Sequence, residues 1–276
     1  MSRPPNTVKV SSMIAESELP RHEAERLLVA VTGRPRAWMI GDPEVSERWA
    51  AAFFELADRR RRGEPLQYLE GTVQFGPIEL LVDPRVLIPR PETEQLFEIA
   101  IDLISDVAAP VVVDLCTGSG NVALAIKHAR PDSDVYATDV SAEAIEVAEA
   151  NARRTGLQAV FHIGSTYDPL DPALRGGVDL IAANPPYVAA GEVDTLPVDV
   201  RDHEPRAALV AGESGDEVLA EIAAGAADWL APGGWLICEI NEYRAEQALA
   251  LLASLDTAIR NDLAGRPRFV IGRLIP

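Results

Sequence analysis

Hydrophobic positions along this chain follow two successive rhythms. Through residues 8–62 they recur at helical spacing. Trp49, Ala52, Phe53, Leu56 and Ala57 fall at i, i+3, i+4, i+7 and i+8 and make one apolar stripe, and an earlier helix over 21–32 carries Leu27, Leu28 and Val31. "GRPR" at 33–36 and "GDPE" at 41–44 punctuate the region as loops, and otherwise it reads as helices only. From residue 110 the pattern changes to short apolar runs. "VVVDLC" (111–116), "DVYATD" (134–139), "AVFHIG" (159–164), "VDLIAAN" (178–184) and "WLICEI" (235–240) have the length and composition of strands buried on both faces. Helical segments over 121–130 and 142–155 alternate with them, which predicts a doubly wound, parallel α/β sheet. "RFVIGRLI" near the end would add an edge strand.

Between the two rhythms lies "YLEGTVQFGPIELLVDP". Val73-Gln74-Phe75 and Ile78 to Val82 flank Gly76-Pro77, a hairpin signal. "VLIPRPETEQLFEIAIDLI" then begins extended, because each residue before a proline is pushed out of the helical region. A helix starts near Pro91 and buries Leu96, Ile99, Ala100 and Leu103. The resulting organisation is an N-terminal helical domain over 1–64, a linking β-hairpin over 65–90 and an α/β domain over 91–276.

Composition narrows the function classes. The 276 residues carry a formal net charge of -18, whereas nucleic-acid binders usually present a basic face. The one basic run, "DRRRRGEP" at 58–65, reads as a solvated helix end whose cations suit the C-terminal dipole. No stretch approaches the roughly 18 uninterrupted apolar residues of a membrane helix, and "MSRPPNTVKVSSMIAES" lacks the apolar core of a secretory signal. Cys116 and Cys238 sit in apolar runs and read as buried free thiols of a reducing cytoplasm. No His/Cys cluster suggests a metal, and His22, His128, His162 and His203 are isolated.

The candidate chemistry sits where strands end. "DLCTGSGN" joins the first apolar strand to its helix, and Gly118 and Gly120 allow a tight turn and close approach to a ligand. Asp139 ends the second strand, placed to accept hydrogen bonds from both hydroxyls of a ribose. The dinucleotide fingerprint would require a third glycine where Val122, Ala123 and Leu124 stand. Asp114 precedes the loop, where it would either meet a cationic amine or cap the turn. Together these favour S-adenosylmethionine over NAD. At the end of the fourth strand, Asn184-Pro185-Pro186-Tyr187 forms a stiff corner. Its Asn184 side-chain oxygen and the Asn184 and Pro185 carbonyls are acceptors for a planar NH2 group, with Tyr187 stacking on the flat face.

On these motifs the chain resembles the protein-(glutamine-N5) methyltransferases that act on class I peptide chain release factors. The resemblance runs nearly end to end through "LQYLEGTVQFG", "VLIPRPETE", "DLCTGSGNVAL", "VYATDVSAEAIEVAEANA", "NPPYV", "DHEPRAAL", "LAPGGWLICEI" and "DLAGRPRFV". "NPPY" alone is shared with DNA adenine-N6 and rRNA guanine-N2 methyltransferases, whereas "IPRPETE" and the helical N-terminus are more specific. The resemblance implies a Rossmann-like class I methyltransferase domain over 91–276 that converts S-adenosyl-L-methionine to S-adenosyl-L-homocysteine. The loop Cys116, Thr117, Gly118, Ser119, Gly120 would cradle the methionine part and Asp139 the ribose. Asn184 with Pro185 would hold the glutamine amide, flanked by Pro186 and Tyr187. Where relatives place a glycine this chain has Cys116. Where they place an acid for the adenine it has Ser165 and Thr166, so adenine recognition falls to backbone donors, Thr166 or Tyr167. "EINEYRAEQ" departs from relatives that continue with glycine after the Glu-Ile pair.

Arg90, held extended between Pro89 and Pro91, would orient the substrate loop or serve helix entry. The expected partner is a class I release factor, recognised by the N-terminal helices of a cytoplasmic monomer, with no direct nucleic-acid or membrane binding. A ribosomal-protein glutamine methyltransferase, a nucleic-acid amino methyltransferase and a cofactor-binding scaffold without turnover are the alternatives. The acidic segment "VAAGEVDTLPVDVRDHE" after the corner disfavours the nucleic-acid reading.

Overall fold

The computed structural model describes residues 7–275, and the chain divides into two compact units. One runs to Thr72 and includes Pro197–His203; the other comprises Val73–Leu196 and the chain from Glu204 on. In the first unit, helices Val10–Glu16, Arg21–Thr32, Glu47–Arg61 and Leu66–Glu70 enclose a core centred on Met13, Leu27, Leu28, Phe53 and Ala57. The apolar stripe is shifted by a fraction of a turn. Ala50, Phe53 and Ala57 are buried, while Trp49, Ala52 and Leu56 lie at the margin.

Three readings are corrected here. The region is not purely helical, because Thr7–Lys9 pairs antiparallel with Glu44–Ser46. Three-residue strands are too short to show a period-2 pattern. Residues 65–71 belong with this unit as a short helix and its end, so the hairpin itself is only Thr72–Phe75 and Ile78–Leu81. The basic run is also more than a solvated helix end. Arg59 pairs with Glu64, Arg60 with Glu23, and Arg61 donates to the Ser17 carbonyl, so the cations latch the unit internally.

The second unit is built on a seven-stranded sheet. Its strands in chain order are β1 (Val111–Leu115), β2 (Asp134–Asp139), β3 (Val160–Ile163), β4 (Val178–Ala183), β5 (Leu230–Glu239), β6 (Asp256–Asn261) and β7 (Pro267–Arg273). Their spatial order is β6-β7-β5-β4-β1-β2-β3, parallel except for β7, which runs antiparallel to both neighbours. The final strand is therefore interior. The edges are β6, whose sequence "DTAIRN" is too polar to stand out as a strand, and β3, whose Val160 and Ile163 are exposed rather than buried on both faces as its apolar run suggests.

Residues of alternate parity feed two cores, as strand geometry requires. Val112, Val135, Leu180 and Ile237 join Phe75, Leu80 and Leu96 on one face; Val113, Ile181, Leu236 and Cys238 join Ile222 and Trp229 on the other.

Asn151, fully buried on the helix Ala142–Thr155, ties the hairpin to the turn after β1. Its oxygen accepts from the Leu81 N–H at 2.6 Å, and its Nδ2 donates to the carbonyls of Leu81 (3.1 Å) and Ser119 (2.9 Å). Removing these bonds leaves buried backbone groups unpaired. Asn151→Ala is expected to cost about 2–4 kcal/mol, read as a fall in Tm of roughly 5–15 °C by calorimetry. A Tm within 2 °C of the parent would show that the clamp is dispensable.

Candidate active site

The strand order reverses between β1 and β4, and in doubly wound sheets that is where loops part to leave a crevice. Leu115 stands opposite Thr138 on one side and Ala183 on the other. The next residues, Cys116, Asp139 and Asn184, therefore emerge side by side. They share the wall of a cavity of about 300 Å³ with Ser119, Thr166 and Pro186, a volume at the lower end of the range for small-molecule sites.

The turn from β1 to the helix Asn121–Ala129 uses the left-handed region three times, at Cys116 (φ 59°), Gly118 (φ 54°) and Gly120 (φ 78°). Gly120 has a second constraint, since a Cβ there would lie 3.2 Å from that of Ala148. Cys116 fits in volume, but it holds a conformation that favours glycine.

Asp114 stands behind this turn rather than in the cavity wall. It is 1% exposed, and one of its oxygens accepts from the Thr117 hydroxyl (2.6 Å) and the Ala123 N–H (3.1 Å). Of its two expected roles, the geometry displays the loop cap; direct contact with an amine in the cavity is not what the structure places there. Burial pushes its carboxyl up to about 7, against the lowering effect of those two bonds.

Asp139 does face the cavity. Its two oxygens accept the N–H groups of Gly118 and Ser141, both at 2.9 Å, which fix the carboxylate while leaving lone pairs for a diol. Beside it, Val140 is exposed and offers an apolar surface. The Ser119 hydroxyl, also in the wall, is buried without a partner among the described residues. A buried orphan hydroxyl, a held carboxylate and an apolar lip suit the polar tail, ribose and base of an adenosyl amino acid, so the residues fit S-adenosylmethionine.

The two adenine candidates separate. Thr166 lines the cavity with φ 37°, and its hydroxyl and that of Ser165 both donate to Glu221 at 2.7 Å. Tyr167 instead points into the core, stacked on Trp229 and donating to the Ile222 carbonyl.

At the corner, Asn184 and Pro186 form the wall, while Pro185 is buried and Tyr187 does not line the cavity. Burial and the nearby Glu239 carboxylate push the Tyr187 hydroxyl up to about 12. The stacking expected of its ring therefore has no counterpart in the cavity wall. Asn184 Nδ2 donates to the Thr93 hydroxyl at 3.1 Å, and its amide oxygen has no hydrogen-bond partner among the described residues. Arg90 also stands outside the wall. One of its terminal nitrogens lies 2.6 and 2.7 Å from the two oxygens of buried Glu204, and its carbonyl accepts the Thr93 N–H at the start of the helix Pro91–Leu103.

Thr93, Glu221 and Glu239 are the polar residues that pattern reading passes over. Glu239 had a visible signal, as an acid inside the apolar run "WLICEI" that buries to 2% exposure. Among the described residues no group of His, Cys, Asp and Glu side chains is arranged to hold a metal ion, and no helix is long and apolar enough to cross a membrane.

Comparison with known proteins gives concordant findings. Residues 98–199 match the Methyltransferase small domain family and residues 9–71 the PrmC N-terminal domain. A release factor glutamine methyltransferase of Bordetella pertussis is 41% identical over 271 residues, covering 96% of this chain and 99% of that protein. One from Mycolicibacterium smegmatis is 40% identical over 259 residues, covering 91% and 89%. The crystal structure of a methyltransferase from Pyrococcus furiosus shares the fold, with a TM-score of 0.52 at 19% identity over 74% of this chain and 92% of that one.

The burial of Asp114 has a consequence for stability. A carboxyl that titrates near 4 when unfolded and about 7 when folded binds its proton more tightly in the native state. Its contribution is favourable below about pH 4 and lost as pH rises to 7, by at most about 4 kcal/mol. Asp114→Asn keeps an oxygen for both loop bonds but cannot titrate. Its Tm is expected to fall less between pH 5 and pH 8 than that of the parent; parallel Tm curves would contradict a raised pKa.

Proposed function

The chain belongs to the release factor glutamine methyltransferase family, and from that premise we propose that its substrate is the glutamine of the Gly-Gly-Gln loop of class I peptide chain release factors. The observation that carries this reading is the orientation of Asn184. One of its N–H bonds is given to Thr93, and its oxygen takes no hydrogen bond among the described residues, so the oxygen is the acceptor it keeps for the cavity it lines. An exposed acceptor at that point suits a ligand that brings N–H bonds, and a primary carboxamide brings two.

When bound, S-adenosylmethionine supplies an electrophilic methyl group and leaves as S-adenosylhomocysteine. The remaining work falls to residues of the chain. Asp139, held by the Gly118 and Ser141 N–H groups, would hold the ribose, and the Cys116–Gly120 turn would receive the polar tail with the Ser119 hydroxyl, which has no partner among the described residues. An amide nitrogen is a poor nucleophile because its lone pair is delocalised into the carbonyl. An acceptor on its N–H bonds, the Asn184 side-chain oxygen, holds the nitrogen in line and stabilises the positive charge that grows on it, whereas Pro185, buried behind the wall, stiffens the corner instead of supplying the second acceptor expected of it. The methylated nitrogen then loses a proton to water, and no strong base is required. In this reading the N-terminal helices recognise the protein partner, and the enzyme works as a cytoplasmic monomer without nucleic acid.

Incubation with labelled cofactor and purified release factors is expected to label one glutamine-containing peptide, and replacing the glutamine of the Gly-Gly-Gln loop by alanine should abolish the label. Label on rRNA, DNA or a ribosomal protein, with none on the release factor, would reject the assignment. Asn184→Ala is expected to lower kcat by about 10²–10³ while cofactor binding survives; an unchanged rate would remove Asn184 from the mechanism. Asp139→Ala is expected to weaken cofactor binding about tenfold or more, measured by calorimetry.

A further inference from the structure

Behind Asn184 runs a short buried chain of hydrogen bonds. Asn184 Nδ2 donates to the Thr93 hydroxyl at 3.1 Å, and that hydroxyl donates to Glu239 Oε2 at 2.8 Å. Thr93 is 1% and Glu239 2% exposed, so water does not compete for these bonds. Neither residue lines the cavity, and the three come from the helix Pro91–Leu103, the end of β5 and the corner after β4.

The polarity of the chain follows from counting protons. An ionised carboxylate can only accept, and a threonine hydroxyl has one proton to give. That proton goes to Glu239, so the hydroxyl lone pair is left to accept from Asn184. Only the NH2 end of the Asn184 amide can make that bond, which turns the oxygen toward the cavity. We propose that Thr93 and Glu239 are positioning residues that set Asn184 with its oxygen, rather than its NH2, facing the incoming carboxamide. The inference rests on the glutamine-methylating reading of the site.

A protonated Glu239 permits the opposite arrangement. Its O–H would donate to Thr93, Thr93 to the Asn184 oxygen, and the Asn184 NH2 would face the NH2 of the substrate. Two donors then meet, and the acceptor site is lost. Burial pushes Glu239 up to about 7, opposed by the Thr93 bond and by Arg268, with Glu92 raising it further and Arg90 lowering it. The charged and titratable groups around it are Arg268 on β7, Arg90 and Glu92 where the helix begins, and Tyr187 at the corner. Both polarities therefore lie within the range of an ordinary assay.

The test uses the full-length chain, S-adenosylmethionine and a purified release factor. Thr93→Val is expected to lower kcat/KM for the release factor on the order of 10- to 100-fold, the usual cost of a misoriented catalytic group. Cofactor affinity should stay within about twofold, since no cofactor contact changes. Thr93→Ser, which keeps the hydroxyl, is expected to recover most of the loss. In the parent, kcat/KM should rise with pH through an ionisation near 7 that Glu239→Gln abolishes. Full activity in Thr93→Val, no recovery in Thr93→Ser, or the same pH limb in Glu239→Gln would each overturn the proposal. If Thr93→Val does not fold, the serine variant and the pH profiles still decide it. A parent enzyme that labels no glutamine overturns the functional reading, and this inference falls with it; an active parent with indifferent variants overturns the inference alone.

Discussion

Asp114 Oδ2 takes one hydrogen bond from the Thr117 hydroxyl and one from the Ala123 N–H, and those two bonds span the whole turn from strand to helix. Everything on the carboxyl edge of the sheet is registered against that turn. Gly118 reaches the Asp139 carboxylate only because the chain folds back sharply, and Ser119 presents its carbonyl to Asn151 for the same reason. The turn needs three left-handed residues in five, a conformation L side chains resist by roughly 1–2 kcal/mol each. A buried acceptor that collects both strand-side and helix-side donors is what makes such a turn the stable outcome.

A second buried carboxylate, Glu239, stands behind Asn184, the neighbour of that turn in the cavity wall. The apolar interior raises the cost of both charges, and neither has a direct ion-pair partner among the salt bridges of the described residues. Their hydrogen bonds offset part of that cost. The site is thus held by a few dry polar contacts that are sensitive to protonation, whereas the sheet beneath depends on interdigitated aliphatic side chains, which are not.

The parallel strands were legible because a strand buried on both faces writes an unbroken apolar run, and the helices around them because Gly, Pro and acidic residues mark their starts. The neighbourhood of Asp139, Asn184 and the glycine turn was legible too, since all three follow from strand ends in a doubly wound topology. β3 was legible from its apolar run although it is an exposed edge, but polar or very short elements with little burial were not. β6 faces solvent at the edge, and the strand Glu44–Ser46 buries only Val45. Side-chain direction was also beyond pattern reading. That Asp114 caps the turn, Tyr167 packs on Trp229 and Tyr187 stays out of the cavity wall depends on rotamers chosen by packing. Thr93 stood in a recognised motif, but its link to Glu239, 146 residues away, exists only once the sheet has closed.

The segment Pro197–His203 belongs with the N-terminal helices although it is made long after them. Within that unit His203 lies against Gly63, and Asp199 stands close enough to Arg60 to raise its pKa. On the ribosome, Thr72 leaves the tunnel some 125 residues ahead of Pro197, which at about 5–20 residues per second is roughly 6–25 seconds. Through that interval the first-made helices lack their last piece. The chain also passes between the units three times, after Thr72, after Leu196 and after His203. No single cut separates them, so an excised N-terminal fragment would be an incomplete body rather than a detachable module.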